Sequence, residues 1–256
     1  MNHVDLSSAR NIIAVASGKG GVGKTWLSIT LSQLFARSGR KILLFDGDIG
    51  LANVDVQLGL TPQRDLSQML RGGSLLEDII THYHLGFDII AGRSGSTSLA
   101  NLSSEKLLTI KAQLLELANQ YDYIIIDLGA GIEQYVQFMA SMASCCIVVV
   151  TDEPTSLTDA YAFIKLCTTR LQKTQVNIVV NQAITQKEGE RTYEAISKAC
   201  ESFLKFTPPL LGIVRKDNKV REAIRAQSPI VEKSPNSIAA MDVATISIKL
   251  LQKMQS

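Results

Sequence analysis

The segment Gly18–Thr25, which reads GKGGVGKT, constrains the fold of this chain more than any other feature. It satisfies the G-x-x-x-x-G-K-[ST] pattern of a phosphate-binding loop. An apolar run at 12–16, IIAVA, precedes it, and an apolar, helix-like stretch at Trp26–Ala36 follows it. A strand, a glycine loop and a helix in this order are the setting in which such a loop binds phosphate, so the sequence predicts a P-loop.

The residue types in this loop match the chemistry of a bound phosphate. Glycines leave backbone N–H groups free to approach phosphate oxygens, and the helix that follows directs its positive dipole end at the anion. We expect Lys24 to contact the β- and γ-phosphates and the Thr25 hydroxyl to bind Mg²⁺. The predicted nucleotide-binding residues of this segment are Gly18, Lys19, Gly20, Gly21, Val22, Gly23, Lys24, Thr25 and Trp26.

Short apolar runs alternate with longer stretches of helical period along the whole chain. Several runs lack strict alternation of apolar and polar residues, which predicts strands covered on both faces. The pattern predicts an α/β fold, a single P-loop NTPase domain over 11–256 with a mostly parallel sheet and helices on both faces, after a short extension at 1–10. The predicted strands are Asn11–Ser17, Lys41–Asp46, Phe87–Ala91, Tyr123–Asp127, Cys145–Thr151, Val176–Asn181 and Leu210–Val214, and further predicted helices are Ser104–Asn119, Thr158–Gln172 and Gly189–Phe206.

Acidic residues follow two of the predicted strands. KILLFDGD places Asp46 and Asp48 after one strand, and YIIID places Asp127 at the end of another. Carboxylates at this edge of a parallel sheet lie next to the phosphate loop, so Asp127 fits a Walker B residue that holds Mg²⁺ through a water. A turn or a helix cap is the alternative role for an Asp after a strand. The glycines Gly129 and Gly131 predict a flexible switch segment.

Composition limits the remaining functions. The net charge of +2 is too mild to indicate a dedicated nucleic-acid binder. The four cysteines form no C-x-x-C pair and none follows Asp127 in the switch segment, which argues against an iron–sulfur carrier on this fold, and Cys145 and Cys146 are expected to be buried strand residues. Without a signal-like stretch or an apolar run of about 18 residues, the chain is expected in the cytoplasm.

Lys19 is an additional lysine that the general P-loop pattern does not require. With it, the loop resembles the deviant Walker A motif, K-G-G-x-G-K-[ST], of the MinD/ParA ATPases. The resemblance implies an ATP-dependent sandwich homodimer in which Lys19 reaches the nucleotide of the partner protomer. It also implies that Asp48 positions or activates the hydrolytic water and that Asp46 supports the metal shell. A solvated loop lysine is the alternative for Lys19, and the lack of a nearby glutamate or histidine base predicts slow turnover.

The same resemblance assigns the end of the site that binds the base. Asn181 would hydrogen-bond adenine, although asparagine is also an ordinary residue at the end of a strand. The family usually has I-P-x-D where this chain has Val214-Arg215-Lys216-Asp217. Asp217 matches the pattern and is expected among the nucleotide contacts, whereas Arg215 replaces the proline.

Three segments look like the MinD-like regulators of flagellar number and placement, the FlhG or FleN branch. They are DGDIGLANVDVQLGL at Asp46–Leu60, IIIDLGAGI at Ile124–Ile132 and TDEPTSLTDAYAFIK at Thr151–Lys165. The resemblance implies three partners, namely a flagellar signal-recognition-type GTPase, flagellar switch proteins and a σ54-type transcription activator. Two departures are the lack of a D-Q-A-x-x-L-R motif before the first strand and Leu128-Gly129 after the Walker B aspartate.

The C-terminal stretch Ser237–Gln255 carries apolar residues at helical spacing together with two lysines. Such an amphipathic helix commonly packs on a sheet, and the alternative is a releasable helix that binds the inner face of the cell membrane peripherally. The competing function is a partitioning or cell-division-site ATPase that binds DNA non-specifically or the membrane. Its basic candidate surface is the run Arg215–Arg221, for which a solvated helix start is the other explanation. Specific nucleic-acid binding is not expected.

Overall fold

The computed structural model describes residues 9–48, 51–92, 102–171 and 174–255. The strands are β1 (Ala9–Ser17), β2 (Ile42–Gly47), β3 (Ile80–Tyr83), β4 (Phe87–Ile90), β5 (Tyr123–Ala130), β6 (Ala143–Val150), β7 (Gln175–Ala183) and β8 (Leu210–Arg215). The α-helices are α1 (Lys24–Arg37), α2 (Val54–Leu58), α3 (Leu66–Leu70), α4 (Ser104–Leu117), α5 (Gln134–Ala140), α6 (Pro154–Arg170), α7 (Gln186–Leu204), α8 (Asn218–Arg225), α9 (Ile230–Lys233) and α10 (Ile238–Gln255). A 3₁₀ turn, Glu77–Ile79, leads into β3.

The described strands form one sheet in the order β3-β4-β2-β5-β1-β6-β7-β8. Neighbouring strands are parallel except β3 and β4, which pair antiparallel at one edge. The strand that leads into the phosphate loop, β1, lies between β5 and β6. The predicted α/β class with a mostly parallel sheet is confirmed, and all seven predicted strands are present with small shifts at their ends.

The strand residues alternate between two apolar cores, one on each face of the sheet. Ile12 and Cys146 belong to the first core, which α4, α5, α6 and α7 cover, and Ile13 and Cys145 belong to the second, which α1, α9 and α10 cover. These four strand residues are at most 2% exposed. Because both faces are removed from water, the strand segments are almost continuously apolar. Helices on both faces and buried cysteines on β6 are therefore confirmed.

The C-terminal helix α10 packs on the second core, against β8 and α1. Gly212 of β8 makes room for it, because a Cβ on this glycine would lie 2.4 Å from Ile246 Cγ1. Of the two alternatives drawn from the sequence, the packed helix is the one that the structure shows. In the described part of the chain, we find no helix with the length and apolar character needed to cross a membrane. The buried residues of α10 are Ala239, Ala240, Val243, Ile246, Ser247 and Leu250.

An ion pair ties the end of β8 to α10. Asp242 Oδ2 accepts hydrogen bonds from the backbone N–H of Arg215 at 2.9 Å and from Arg215 Nε at 3.0 Å, and Oδ1 accepts from Nη2 at 2.7 Å. The side chain of Asp242 is only 12% exposed. Arg215 stands where the family pattern has proline, and a proline has no backbone N–H to donate. The departure from the pattern therefore has a structural reason in this chain.

Replacing Asp242 tests this connection. We expect Asp242→Ala to lower the free energy of unfolding by about 1–2 kcal/mol, because it removes three charge-assisted hydrogen bonds, with some discount for the partial exposure of Arg215. Urea denaturation measures the change. The matched control is Glu222→Ala, which breaks a half-exposed pair with Lys219 on α8 and should leave the urea midpoint unchanged. Equal effects of the two variants would contradict a special role for the Arg215–Asp242 pair.

Candidate nucleotide-binding site

The phosphate loop runs from the end of β1 to the first turn of α1. Gly23 precedes the helix with φ +95°, a backbone conformation that favours glycine. A Cβ on Gly23 would also lie 2.4 Å from Asn181 Nδ2, so the loop needs glycine there for space. The helix begins at Lys24, two residues before the predicted stretch Trp26–Ala36, and the free N–H groups of its first turn face the loop. This geometry matches a phosphate site.

Gly18 holds the other end of the loop in close contact with α6. A Cβ on this glycine would lie 2.2 Å from the carbonyl carbon of Asp159 and 2.4 Å from its oxygen. Any side chain at this position would therefore displace either α6 or the loop. In contrast, the positions that a Cβ would take on Gly20 and Gly21 have no atom within 4 Å. The middle of the loop is thus open to a ligand, while its two ends are closed against the protein.

Asp127 lies inside β5 at the base of the loop and is 1% exposed. Its Oδ1 accepts a hydrogen bond from Ser28 Oγ at 3.0 Å, and the Thr25 side chain also hydrogen-bonds the carboxylate. The second oxygen, Oδ2, is buried and has no hydrogen-bond partner among the described residues. Burial raises the pKa of Asp127 to about 6, although Thr25, Lys24 and Ser28 act in the opposite direction. The carboxylate is therefore short of compensating positive charge.

Asp46 lies inside β2 rather than after it, and it is 1% exposed. Its Oδ2 accepts hydrogen bonds from the N–H groups of Asn53 and Val54, both at 3.1 Å, and its Oδ1 accepts from the N–H of Asp48 at 3.2 Å. Burial, and then the charge of Asp127, raise the pKa of Asp46 to about 8. Asp46 therefore anchors the start of α2, and its predicted place in a metal shell stays a prediction.

Asp48 is half-buried beside Gly129 and close to Lys24. A Cβ on Gly129 would lie 3.2 Å from Asp48 Oδ1. Burial raises the pKa of Asp48, and Lys24 opposes this shift. Burial lowers the pKa of Lys24, and Asp127 and Asp48 oppose that shift. The structure thus brings Lys24, Asp48 and Asp127 together at the edge of the sheet where the sequence placed them.

The groups at this edge fit a hard cation such as Mg²⁺. Asp127 offers a buried, unpartnered oxygen, and the Thr25 hydroxyl lies next to it. Among the residues that the structure describes, no group of three or more His, Cys, Asp or Glu is placed to hold a metal ion. Mg²⁺ commonly binds through one or two protein oxygens, several waters and the phosphates of a substrate. The site therefore suits a metal that arrives with a nucleotide.

A cavity of about 260 Å³ opens beside the loop, on the side of α8. Five predicted nucleotide contacts line it, namely Gly21, Gly23, Trp26, Asn181 and Asp217. The indole Nε1 of Trp26 is buried and has no hydrogen-bond partner within the described ranges. A cavity with apolar walls and a few polar groups is typical of a site for a small organic ligand. Its position next to the phosphate loop agrees with the predicted site of the base, which stays a prediction.

Two residues of this cavity also have partners inside the protein. Asn181 Nδ2 donates to the carbonyl oxygen of Val22 in the loop at 2.7 Å. Asp217 Oδ1 accepts from the N–H of Lys219 at 2.9 Å, and Oδ2 accepts from the N–H of Ala239 at 3.3 Å. Asn181 therefore positions the phosphate loop, and Asp217 caps α8 and contacts the start of α10. Their contacts with adenine stay predictions.

Lys19 contacts the start of α6. Its ammonium group pairs with the carboxylate of Glu153 and donates a hydrogen bond to Thr155 Oγ1 at 3.0 Å. The side chains of Lys19 and Glu153 are 37% and 58% exposed. Lys19 is therefore not simply a solvated loop lysine, but its partners are at the surface. Both partners belong to the segment Thr151–Lys165 that the sequence singled out.

The comparisons with known proteins agree with this geometry. A family model described as CbiA, the CobQ/CobB/MinD/ParA nucleotide binding domain, matches residues 13–230. The chain belongs to this family. The antiactivator FleN of Pseudomonas aeruginosa is 35% identical over 239 residues, which cover 93% of this chain and 85% of FleN. The flagellum site-determining protein YlxH of Helicobacter pylori is 31% identical over 98% of this chain and 85% of YlxH.

A solved structure within the MinD/ParA family shows the same architecture. The septum site-determining protein MinD of Pyrococcus horikoshii, complexed with Mg-ADP, matches with a TM-score of 0.79 and 26% sequence identity. The match covers 96% of this chain and 98% of that one. The resemblance drawn from the K-G-G-x-G-K motif and the three branch segments is therefore confirmed at the level of family and fold.

The sequence did not reveal three residues that contact the phosphate loop or Asp127, namely Ser28, Glu153 and Asp159. Ser28 lies one helical turn after Lys24, so its spacing of four residues could have placed it on the face that meets Asp127. Glu153 pairs with a lysine 134 residues earlier, and no local pattern indicates that contact. Asp159 contacts Gly18 through its backbone, so its residue type does not indicate the contact.

Substituting Gly18 tests the closed end of the loop. We expect Gly18→Ala to destabilise the protein by about 1–3 kcal/mol, because the new Cβ would overlap the backbone of Asp159. Gly20→Ala is the matched control, since a Cβ there meets open space, and its stability should equal that of the wild type. Urea denaturation without nucleotide measures both. A Gly18→Ala variant as stable as Gly20→Ala would contradict the contact with α6.

Proposed function

We propose that this protein is a regulatory ATPase that controls flagellar number, flagellar placement or flagellar gene expression. ATP drives formation of a sandwich homodimer, the dimer acts on its partners, and hydrolysis returns the monomer. The observation that carries the proposal is the position of Lys19 at the surface of the phosphate loop, where it contacts Glu153 and Thr155 of the segment Thr151–Lys165 that looks like the flagellar regulators. The similarity to FleN and YlxH supports the flagellar branch.

The contacts of Lys19 are weak enough to be exchanged. An ion pair between exposed side chains contributes about 0–1 kcal/mol, and salt reduces it further. A hydrogen bond from an ammonium group to a phosphate oxygen in a closed interface is considerably stronger. Lys19 therefore leaves Glu153 and Thr155 at little cost when a partner protomer presents its nucleotide. The pair with Glu153 keeps the lysine near the interface in the monomer.

Hydrolysis at this site rests on positioning and charge stabilisation. Lys24 and the loop N–H groups would bind the phosphates, and Thr25 and Asp127 would hold Mg²⁺. When bound, Mg²⁺ neutralises negative charge on the β- and γ-phosphates. Asp48 positions the attacking water. Since no strong general base adjoins Asp48 among the described residues, turnover is slow, as suits a timed switch.

The partners follow from the flagellar branch. We propose a σ54-type transcription activator, flagellar switch proteins and a signal-recognition-type GTPase as the proteins that the dimer binds. FleN is named an antiactivator, which fits a transcription activator as partner, and YlxH is named a flagellum site-determining protein, which fits the switch proteins and the GTPase. We further propose a peripheral contact with the inner face of the cell membrane. Three apolar residues of the C-terminal segment, Ile238, Met241 and Ile248, are 45–58% exposed and support it.

A DNA-partitioning role has less support from the basic run Arg215–Arg221. Arg215 pairs with Asp242, and Lys219 pairs with Glu222. Of the four cations in the run, these two are thus neutralised within the protein. Lys216 and Arg221 are left to face solvent, and a pair of cations releases few counterions from DNA. The solvated start of α8 explains the run sufficiently.

The experiment that tests the proposed function counts flagella in the bacterium that encodes the protein. Deleting the gene should change the number or position of flagella per cell in electron micrographs, and the wild-type gene should restore them. Lys24→Ala should fail to restore them, because the loop loses its phosphate contact. The purified wild type should hydrolyse ATP slowly, and purified Lys24→Ala should not.

Two controls separate the alternatives. Lys111→Ala, on the surface of α4 away from the loop, should restore flagella like the wild type. A deletion strain with normal flagella but misplaced division septa or lost chromosomes would contradict the flagellar role and favour the cell-division or partitioning function.

A further inference from the structure

Gln182, near the end of β7, has a backbone conformation that is unfavourable for its residue type. Its φ is +60°, in the left-handed region that favours glycine. Glycine would make the same turn without strain. Strained backbone of this kind is found at functional sites, and it points to a function when the contacts of the side chain supply one.

The side chain of Gln182 contacts the phosphate loop beside the predicted base cavity. Its Nε2 donates a hydrogen bond to the carbonyl oxygen of Gly21 at 3.4 Å. Both residues line the cavity of about 260 Å³ next to the loop. Because a carbonyl oxygen only accepts hydrogen bonds, this contact turns the amide nitrogen toward the loop. The amide oxygen, Oε1, is left as an acceptor without a hydrogen-bond partner among the residues that the structure describes.

Asn181, the neighbour that the family resemblance assigns to adenine, has less to offer a ligand. Its Nδ2 donates to the carbonyl oxygen of Val22 at 2.7 Å, and its Oδ1 accepts from the N–H of Gln182 at 2.9 Å. The residue is 5% exposed, whereas Gln182 is exposed. Both ends of the Asn181 amide are therefore used inside the protein, where they hold the loop.

The other charged or amide side chains that line the cavity do not offer a fixed acceptor. Both oxygens of Asp217 already accept hydrogen bonds from backbone N–H groups, and the lysine and the arginines of the cavity carry only donors. Asn218 has a carboxamide, but no hydrogen bond within the described ranges fixes its orientation. Such an amide can turn to match a donor or an acceptor. Gln182 is therefore the side chain with a fixed and unpartnered acceptor.

We propose that Gln182 Oε1 accepts a hydrogen bond from the 6-amino group of adenine, and that Gln182 thereby selects adenine over purines with an oxygen at position 6. The inference rests on the proposed function, because it takes an adenine nucleotide as the ligand of the cavity. In guanine and hypoxanthine a carbonyl oxygen replaces the amino group, so two acceptors would face each other without a proton between them. Turning the amide over would lose the hydrogen bond to Gly21 and set Oε1 against that carbonyl oxygen.

The test is Gln182→Gly, measured by isothermal titration calorimetry with ADP and with IDP in the presence of Mg²⁺. IDP carries an oxygen where ADP carries the 6-amino group. The wild type should bind ADP about tenfold or more tightly than IDP, and the variant should bind the two within about threefold of each other. Because glycine suits φ +60°, the melting temperature of the variant without nucleotide should rise by about 2–4 °C.

Two controls separate selection of the base from other effects. Lys205, at the end of α7, has φ +54° and lies outside the cavity lining. Lys205→Gly should therefore raise the melting temperature similarly and keep the wild-type preference for ADP. Asn218→Ala removes the other unpartnered carboxamide of the cavity and should also keep that preference.

The outcomes separate the inference from the function on which it rests. If the wild type prefers ADP and Gln182→Gly keeps that preference, or loses affinity for ADP and IDP by the same factor, the inference is overturned and the proposed function stands. Equal affinity of the wild type for ADP and IDP would also overturn the inference alone. A wild type that binds neither ADP nor ATP would refute both.

Discussion

The close approach of backbone to backbone around the phosphate loop is the constraint on which the site depends. Gly18 lies against the backbone of Asp159, and Gly23 lies against the side chain of Asn181. These contacts fix the loop between α6 and β7, so that its open middle and the first turn of α1 point in one direction. The strands on either side of β1, β5 and β6, both run parallel to it.

The buried carboxyl groups next to the phosphate loop favour the binding of a cation. Asp46 and Asp127 are each 1% exposed, and burial raises the pKa of each. Lys24 is the cation that opposes the pKa shifts of Asp127 and Asp48, and its own pKa is lowered by burial. The pKa of each carboxyl is higher in the folded protein than in the unfolded chain, so ionising Asp46 and Asp127 destabilises the folded protein. The free energy of unfolding therefore falls as the pH rises from about 4 to about 8. A bound divalent cation reverses that effect by favouring the charged form.

Much of the fold could be predicted from the sequence, because seven strands are short apolar runs that alternate with stretches of helical period. The edge strand β3, with the residues Ile80–Tyr83, could not, since its four residues form a strand only by pairing with β4. The site was predictable where residue type carries the chemistry, as for Lys24 and Asp127. It was not predictable where geometry carries the role: Asp46 anchors the start of α2, Asn181 holds the phosphate loop, and Lys19 contacts Glu153, which lies 134 residues later in the chain. The predicted strand also ended too early at Asp127, because β5 continues to Ala130 and the switch loop starts at Gly131.

The central claim is that ATP brings two protomers together through Lys19. Size-exclusion chromatography with light scattering tests it most directly, on Asp48→Ala, which we expect to bind ATP without hydrolysing it. The account predicts a dimer with ATP, a monomer with ADP, and a monomer with either nucleotide when Lys19→Ala is added, although binding of ATP persists. A monomer of Asp48→Ala with ATP demonstrably bound, or a dimer that forms equally well without Lys19, would contradict it.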